Sequence, residues 1–292
     1  MIDGSYLKLP KFKALIKIKF HRNFTGSIKS VTIQKTASNK YYASILVDGG
    51  LSNIVPTTVV PEQILGLDLG LKHYLIDNLG NKTKSPKYFN QKLTRLRIEQ
   101  RKLSRKKEDS SSRKRQRIVV AKCHEKISNQ RNDFLQKLST QLAYDNQITS
   151  FAIEDLNVKG MIKNKRLSRH ISDSGWSKFI TYLEYKCKEL GKNVIRINRF
   201  APSSKICNDC GHKLDNLSLN VRNWICPECG VSHDRDINAA KNIRAYALAH
   251  VVGTTKCVKS SPVTRLLSGS VMAKDTDQIQ YGSYEAHSIA NA

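Results

Sequence analysis

The 292-residue sequence holds no stretch of roughly 18 or more apolar residues, so no helix in it is expected to span a membrane. Its first residues, MIDGSYLKLPKFK, lack the continuous apolar segment of a secretory signal. Acidic residues are scarce: 24 Asp and Glu stand against 50 Lys and Arg, a formal net charge of +26. Such an excess repels itself in a compact chain, and a polyanion that neutralises it is the natural partner. Charge alone carries no sequence preference, because phosphate contacts position a protein without reading bases. No internal repeat is present, and the composition is silent on oligomeric state. Four of the seven cysteines sit in two CxxC pairs, which in a reducing cytosol means metal rather than disulfides. The expected location is the cytoplasm, in association with DNA.

What is there begins with three alternating segments, 14–20 (ALIKIKF), 28–36 (IKSVTIQKT) and 40–48 (KYYASILVD). Gly26, Ser38-Asn39 and Gly49-Gly50 bound them, which predicts three antiparallel strands. Three strands with open edges are a poor domain on their own and read as the end of a β-barrel. After a linker at 51–61 comes the apolar run Ile64 to Leu67, then Asp68, and a second strand is expected at His73–Asp77. From about 88 to 147 the leucine spacing predicts two helices, joined by a basic hinge at Lys106–Arg117. Basic residues dominate there, so Lys106, Lys107, Arg113 and Arg115 are candidates for a phosphate-facing surface. Phe151 to Ile153 reads as a short buried strand ending at Glu154, and Trp176 to Leu190 as an amphipathic helix stopped by Gly191. A strand at Val194–Ile197 and a helix beginning near Asp236 follow; beyond Gly253 periodicity vanishes and a flexible tail is expected.

The clearest chemical motif is Cys207-x2-Cys210, fifteen residues, then Cys226-x2-Cys229. Each CxxC forms a knuckle presenting two thiolates, and two facing knuckles close a tetrahedral zinc site with no position open to water. That zinc is expected to be structural. Gly211 and Gly230 follow each second cysteine, where a tight turn needs positive φ. A redox CxxC would be single and would follow a strand, which is not the pattern here. Cys123, Cys187 and Cys257 read as ordinary thiols.

The second constellation is acidic. Asp68 lies in GLDLG, Glu154 in AIEDLN and Asp236 in DRDINAAKNI, each at the end of a short apolar strand or the start of a helix. Two-metal phosphodiester cleavage needs carboxylates converging on hard cations about 3.5–4 Å apart. An aspartate between Leu67 and Leu69 is costly unless a metal or donor satisfies it. Gly66 and Gly70 leave room there for a backbone or ligand to come close.

Taken together, GLDLG, IEDLNVKGM, PSSKICNDCG, WICPECG and DRDINAAKNI closely resemble the OrfB/TnpB family of transposon-encoded proteins. That family is related to the type V CRISPR effectors, and its members are RNA-guided DNA endonucleases with a RuvC-like domain. The resemblance runs from about Leu7 to Ala249. It implies that Asp68, Glu154 and Asp236 are the catalytic, metal-binding acids, with Asp155 and Asp234 the nearest alternatives. Asn238 would support the last acid without binding metal. The block 88–147 would lie against a guide–target duplex. Family members usually carry a further N-terminal lobe, whereas this chain begins inside the barrel, as a naturally reduced member or the product of a truncated gene.

The expected fold is therefore mixed α/β: an RNase H-like (RuvC-type) sheet with flanking helices, an inserted zinc ribbon and a partial β-barrel in front. Residues 1–61 would form the wedge-like barrel, 62–206 the first part of the nuclease domain, 207–230 the zinc ribbon, 231–252 the last nuclease helix and 253–292 the tail. The implied function is that of a Mg²⁺-dependent DNA endonuclease with DNA and a guide RNA as partners and no membrane partner. A remnant that binds DNA or RNA without cutting is the alternative. No tyrosine or serine recombinase signature supports strand joining through a covalent intermediate.

Overall fold

The computed structural model of the chain describes residues 2–3, 6–20, 23–49, 54–218 and 220–252. The expected tail at 253–292, with Cys257, lies outside them. The described residues fall into two compact units, one formed by residues up to 49 with 90–129, the other by 54–89 and 130–252. Among them no helix is long and apolar enough to cross a membrane.

In the first unit, β1 (Ile2–Asp3), β2 (Tyr6–Leu7) and β3 (Ile16–Lys17) form a small antiparallel sheet. A separate hairpin pairs β4 (Ser27–Lys35) with β5 (Tyr41–Asp48), turning through Asn39 at φ 68°. The two longer predicted strands form as expected. The segment 14–20 does not: only two residues of it are strand, and they pair with β2 rather than β4. Both Leu15 and Ile16 remain exposed, so the alternation there has no buried face to hold it.

Two helices complete this unit's chain, α1 (Tyr88–Ser104) and the first half of α2 (Ser111–Ala143). The basic hinge is shorter than the sequence suggested. Ser110 Oγ accepts from Arg113 N at 3.1 Å, an N-cap that starts α2 at Ser111 and puts Arg113 to Arg117 on the helix. Arg113 then folds back, its Nη1 donating to the carbonyls of Lys106 (2.9 Å) and Leu103 (3.3 Å). Buried Glu99 is bonded to Gln116 Nε2 at 2.8 Å and paired with Arg95 and Lys102, tying α1 to α2.

The second unit is a five-stranded mixed sheet with helices on both faces. Its strands are β6 (Ile64–Leu69), β7 (His73–Asp77), β8 (Lys82–Lys84), β9 (Ser150–Glu154) and β10 (Asn193–Ile197), in the order β10-β9-β6-β7-β8. The β6-β7-β8 meander is antiparallel, while β9 and β10 add parallel to β6. Short helices α3 (Val158–Ile162) and α4 (Ser168–Ser174), absent from the sequence reading, precede α5 (Trp176–Glu189). A hairpin of β11 (Asn223–Ile225) and β12 (Ser232–Asp234) leads into α6 (Arg235–Val252).

Alternation along the central strands sorts the core. Leu65, Leu67, Phe151 and Ile153 pack on one face with Leu135 of α2 and Phe179 and Leu183 of α5. Ile64, Ala152 and Ile197 face the other way, against Ile243 and Ala247 of α6. Cys187 is buried in the first of these clusters, and burial pushes its thiol up to about 12, as an inert core residue requires.

Candidate active site and cysteine cluster

Asp68 stands one residue beyond Leu67, and Glu154 one residue beyond Ile153, on strands that pair in parallel at Leu67 and Ile153. Because side chains alternate, both acids project to the α6 face, level with each other at the strand ends. Asp236 comes from the first turn of α6 itself. What lets α6 lie so near is Gly66: a Cβ there would fall 2.3 Å from the Ala240 carbonyl oxygen and 2.9 Å from Arg244 N. Arg244 fastens the same crossing, its Nε donating to Ile64 O at 3.0 Å. At Gly70 a Cβ would stand 2.9 Å from His73 O, so this glycine serves the turn into β7 rather than the helix.

The three acids differ in how they are held. Ser203 Oγ donates to Glu154 Oε1 at 2.5 Å. Arg222 Nη1 reaches Asp236 Oδ1 at 3.0 Å and Oδ2 at 3.3 Å. No described donor is bonded to the Asp68 carboxylate. Solvent reaches it only partly, and burial, then the charges of Glu154 and Asp236, push it to about 7. Burial also raises Glu154, with the Ser203 hydroxyl acting against it. The carboxylate oxygens of the triad do not all lie within 4.8 Å of one another, as the sulfurs of the cysteine cluster do.

The two alternative acids have other employment. Asp155 is paired with Arg199 and, at 3.5 Å, with Arg196. Asp234 caps α6, accepting from the backbone N–H of Asp236 (3.0 Å) and Ile237 (3.1 Å), and pairs with Lys82 at 2.5 Å.

Cys207, Cys210, Cys226 and Cys229 gather with all four sulfurs within 4.8 Å of one another. Cys207 and Cys229 stand 3.7 Å apart, Cys210 and Cys226 3.5 Å. A tetrahedral ion with Zn–S bonds of about 2.3 Å has edges of about 3.8 Å, so the set fits zinc. Gly211 at φ 79° and Gly230 at φ 72° turn the two knuckles as expected. Each knuckle closes with a backbone bond, Gly211 N to Cys207 O and Gly230 N to Cys226 O, both 2.9 Å. The sequence reading missed His233, which is buried against Trp224 with its Nε2 3.1 Å from Cys207 Sγ. It also missed the roles of Ser203, which lies within PSSKICNDCG, and of Arg222, which lies in none of the motifs; both meet the acids only through the fold.

Asn238 and Asn242, one turn apart and fully buried, join the cluster to α6. Asn238 Oδ1 accepts from Asn208 N at 3.0 Å, and its Nδ2 donates to Ile206 O at 2.7 Å. Asn238 thus supports the chain entering the cysteine knuckle, not the Asp236 carboxylate beside it. The expected phosphate ligands divide. Lys107 and Arg115 are exposed, whereas Arg113 is occupied by the helix junction and Lys106 Nζ donates to Ser112 Oγ at 2.6 Å.

Comparison with known proteins bears on the same segments. Residues 33–165 match the OrfB_IS605 family, described as "Probable transposase", and residues 176–243 match the Cas12f1-like TNB domain. The chain resembles the OrfB/TnpB family over these two segments. It is 40% identical over 220 residues to the "Putative RNA-guided DNA endonuclease" of Streptomyces pristinaespiralis, covering 75% of this chain and 53% of that protein. InsQ of Escherichia coli strain K12, which bears the same description, is 28% identical over 280 residues, covering 89% of this chain and 68% of InsQ. The chain thus spans about half the length of the first of these relatives. Among solved structures, a CRISPR-Cas12f ternary complex aligns with TM-score 0.50 at 22% identity, over 70% of this chain and 42% of that one. This likeness concerns the mixed α/β fold.

Proposed function

We propose that this OrfB/TnpB-like protein is a metal-dependent, RNA-guided DNA endonuclease whose nuclease domain is RuvC-type and RNase H-like. The observation that carries the reading is the convergence of Asp68, Glu154 and Asp236 on the α6 face, with Asp68 pushed to about 7 by burial and by the other two. Mutually repelling oxygen donors in a partly desolvated corner are the donor set of a hard dication. Mg²⁺ held by Asp68, Glu154 and Asp236 would supply activation of the attacking water and charge stabilisation at the leaving oxygen. The chain's own residues do the positioning. Asp68 must give up its proton to bind, Ser203 orients Glu154, and Gly66 lets α6 bring Asp236 within reach.

Cys207, Cys210, Cys226 and Cys229 would hold a structural zinc, sulfur being the donor that suits it. On this reading residues 62–206 and 231–252 make up the nuclease domain around a zinc ribbon at 207–230, and residues 1–61 a partial wedge-like barrel. DNA and a guide RNA are the partners, and the cytoplasm the place of action. The net charge of +26 and the exposed Lys107 and Arg115 supply phosphate contacts.

The test combines the purified chain, Mg²⁺, RNA transcribed from beside its own gene, and single-stranded or duplex DNA. Cleavage should disappear in Asp68→Asn, Glu154→Gln and Asp236→Asn while nucleic-acid binding persists, since an amide keeps the shape but not the charge that holds a dication. Cleavage persisting in Asp68→Asn or Glu154→Gln refutes the assignment. A wild type that binds but never cuts points to the binding-only alternative.

A further inference from the structure

Arg222 is the one residue of the cysteine-bearing hairpin region whose side chain is bonded to a triad acid among the described residues. A single nitrogen, Nη1, spans both oxygens of Asp236, at 3.0 and 3.3 Å. This end-on contact lacks the two parallel bonds of a fork, the arrangement that makes arginine–carboxylate pairs strong. The backbone at this point is fixed, because Arg235 N donates to Arg222 O at 2.7 Å, so the guanidinium can move without the strand moving. Its side chain is 44% exposed, against 17% for Asp236, so it is the more open to solvent of the two. The other nearby arginine differs: Arg235 Nη1 is turned to the carbonyl of Ser218 at 2.8 Å.

Building on the metal-dependent reading above, we propose that Arg222 and the metal are alternative counter-charges of Asp236. A dication shared with Asp68 and Glu154 displaces the guanidinium, which then takes a phosphate oxygen of the bound strand. The arginine is thus a positioning residue with two partners. Without metal it neutralises Asp236 and weakens repulsion among the three acids. With metal it stands at their edge with its donors free. Arginine suits both partners, since carboxylate and phosphate oxygens present similar acceptors to its planar donors.

Mn²⁺ binding to the full chain without nucleic acid, followed by calorimetry or electron paramagnetic resonance, tests the competition. Arg222→Ala and Arg222→Gln should each tighten Mn²⁺ binding by about twofold to fivefold, the range expected when a part-exposed ion pair no longer competes. Arg235→Ala is the control, because Arg235 exerts the larger favourable charge effect on Asp68 yet makes no bond to a triad acid. If only the electric field mattered, Arg235→Ala would tighten binding at least as much, and the inference would be overturned. No change in either Arg222 variant overturns it as well.

The second arm measures binding of a short single-stranded DNA. Arg222→Gln should weaken it in Ca²⁺ and leave it nearly unchanged in EDTA. Equal weakening in both would mean an arginine that never alternates. Asp68→Asn separates the two levels of the argument. If it leaves Mn²⁺ binding untouched, the metal-site reading falls and this inference falls with it. If it weakens Mn²⁺ binding while the Arg222 variants do nothing, the inference alone is lost.

Discussion

The side-chain amide of Asn242 donates to the carbonyl of Ser203 at 2.7 Å, and the hydroxyl of Ser203 in turn donates to Glu154. The same amide donates to Ile206 O at 2.7 Å, and Asn242 Oδ1 accepts from Asn208 Nδ2 at 3.0 Å. One buried residue of α6 thus sets both the serine at the acid site and the chain entering the cysteine cluster. Asn242→Ala should cost about 1–3 kcal/mol, the usual cost of leaving buried polar groups without partners. Asn242→Asp should cost more, because it sets carboxylate lone pairs against two carbonyls. Urea unfolding of the two variants checks the order.

Gly66 invites a sharper test. A methyl added at this position would be driven into the Ala240 carbonyl, which belongs to a helix backbone and cannot swing aside. Gly66→Ala should therefore destabilise the second unit by about 1–3 kcal/mol, as overpacking does. Its effect on cleavage should exceed that of Gly70→Ala, because only Gly66 sets the approach of α6 to the acids. Comparing the two variants for Mn²⁺ affinity and cleavage decides it.

Cys226→Ser should release the metal. Burial opposes ionisation of Cys226, but the backbone N–H groups of Cys229 and Glu228 and the neighbouring thiols together outweigh it and bring the thiol to about 7. Cys210 is pushed the other way, up to about 12, chiefly by burial. Losing one of four thiolates opens the tetrahedral site, and metal binding and folding of such a segment are one equilibrium. Metal analysis of protein purified in reducing buffer without chelator should give one zinc per wild-type chain and none in the variant.

Metal binding at the triad should depend on pH. A carboxyl raised to about 7 is mostly protonated at pH 6 and mostly ionised at pH 8, so Mn²⁺ affinity should rise by about tenfold between them. Stability of the metal-free chain carries the opposite sign. The folded state keeps a proton that an unfolded aspartate, with its ordinary value of 3.8, has lost, so stability declines as pH climbs from there through about 7. Titration calorimetry at the two pH values, with thermal unfolding in EDTA, reads both slopes.

In the basic helices, structure splits a set of four residues that looked equivalent. Lys107→Glu with Arg115→Glu should weaken RNA and DNA binding and flatten its dependence on salt, with the fold intact. Arg113→Glu should instead loosen the α1–α2 junction, because its guanidinium is bonded to the Leu103 and Lys106 carbonyls. An unchanged salt slope in the double variant would return Lys107 and Arg115 to an ordinary solvated face.

Local chemistry made much of this protein legible from residue order alone. The CxxC spacing, with glycine after each pair, announced the knuckles because a tetrahedral thiolate site and a positive-φ turn are both short-range requirements. Strands β6 and β9, helix α5 and the start of α6 followed from apolar runs and their punctuation, and the acids lie where the two strands end and α6 begins. Alternation misled at 14–20, where no second layer buries either face, and the basic hinge was overlong because a serine cap is decided by backbone geometry. Only the tertiary structure chose Ser203 and Arg222 as partners of Glu154 and Asp236, 49 and 14 residues distant. It likewise gave Asn238 to the cysteine knuckle and Arg113 to the helix junction. Such pairings depend on which side chains a glycine-permitted helix crossing and a folded knuckle bring within hydrogen-bond reach, and that information is absent from any short window of sequence.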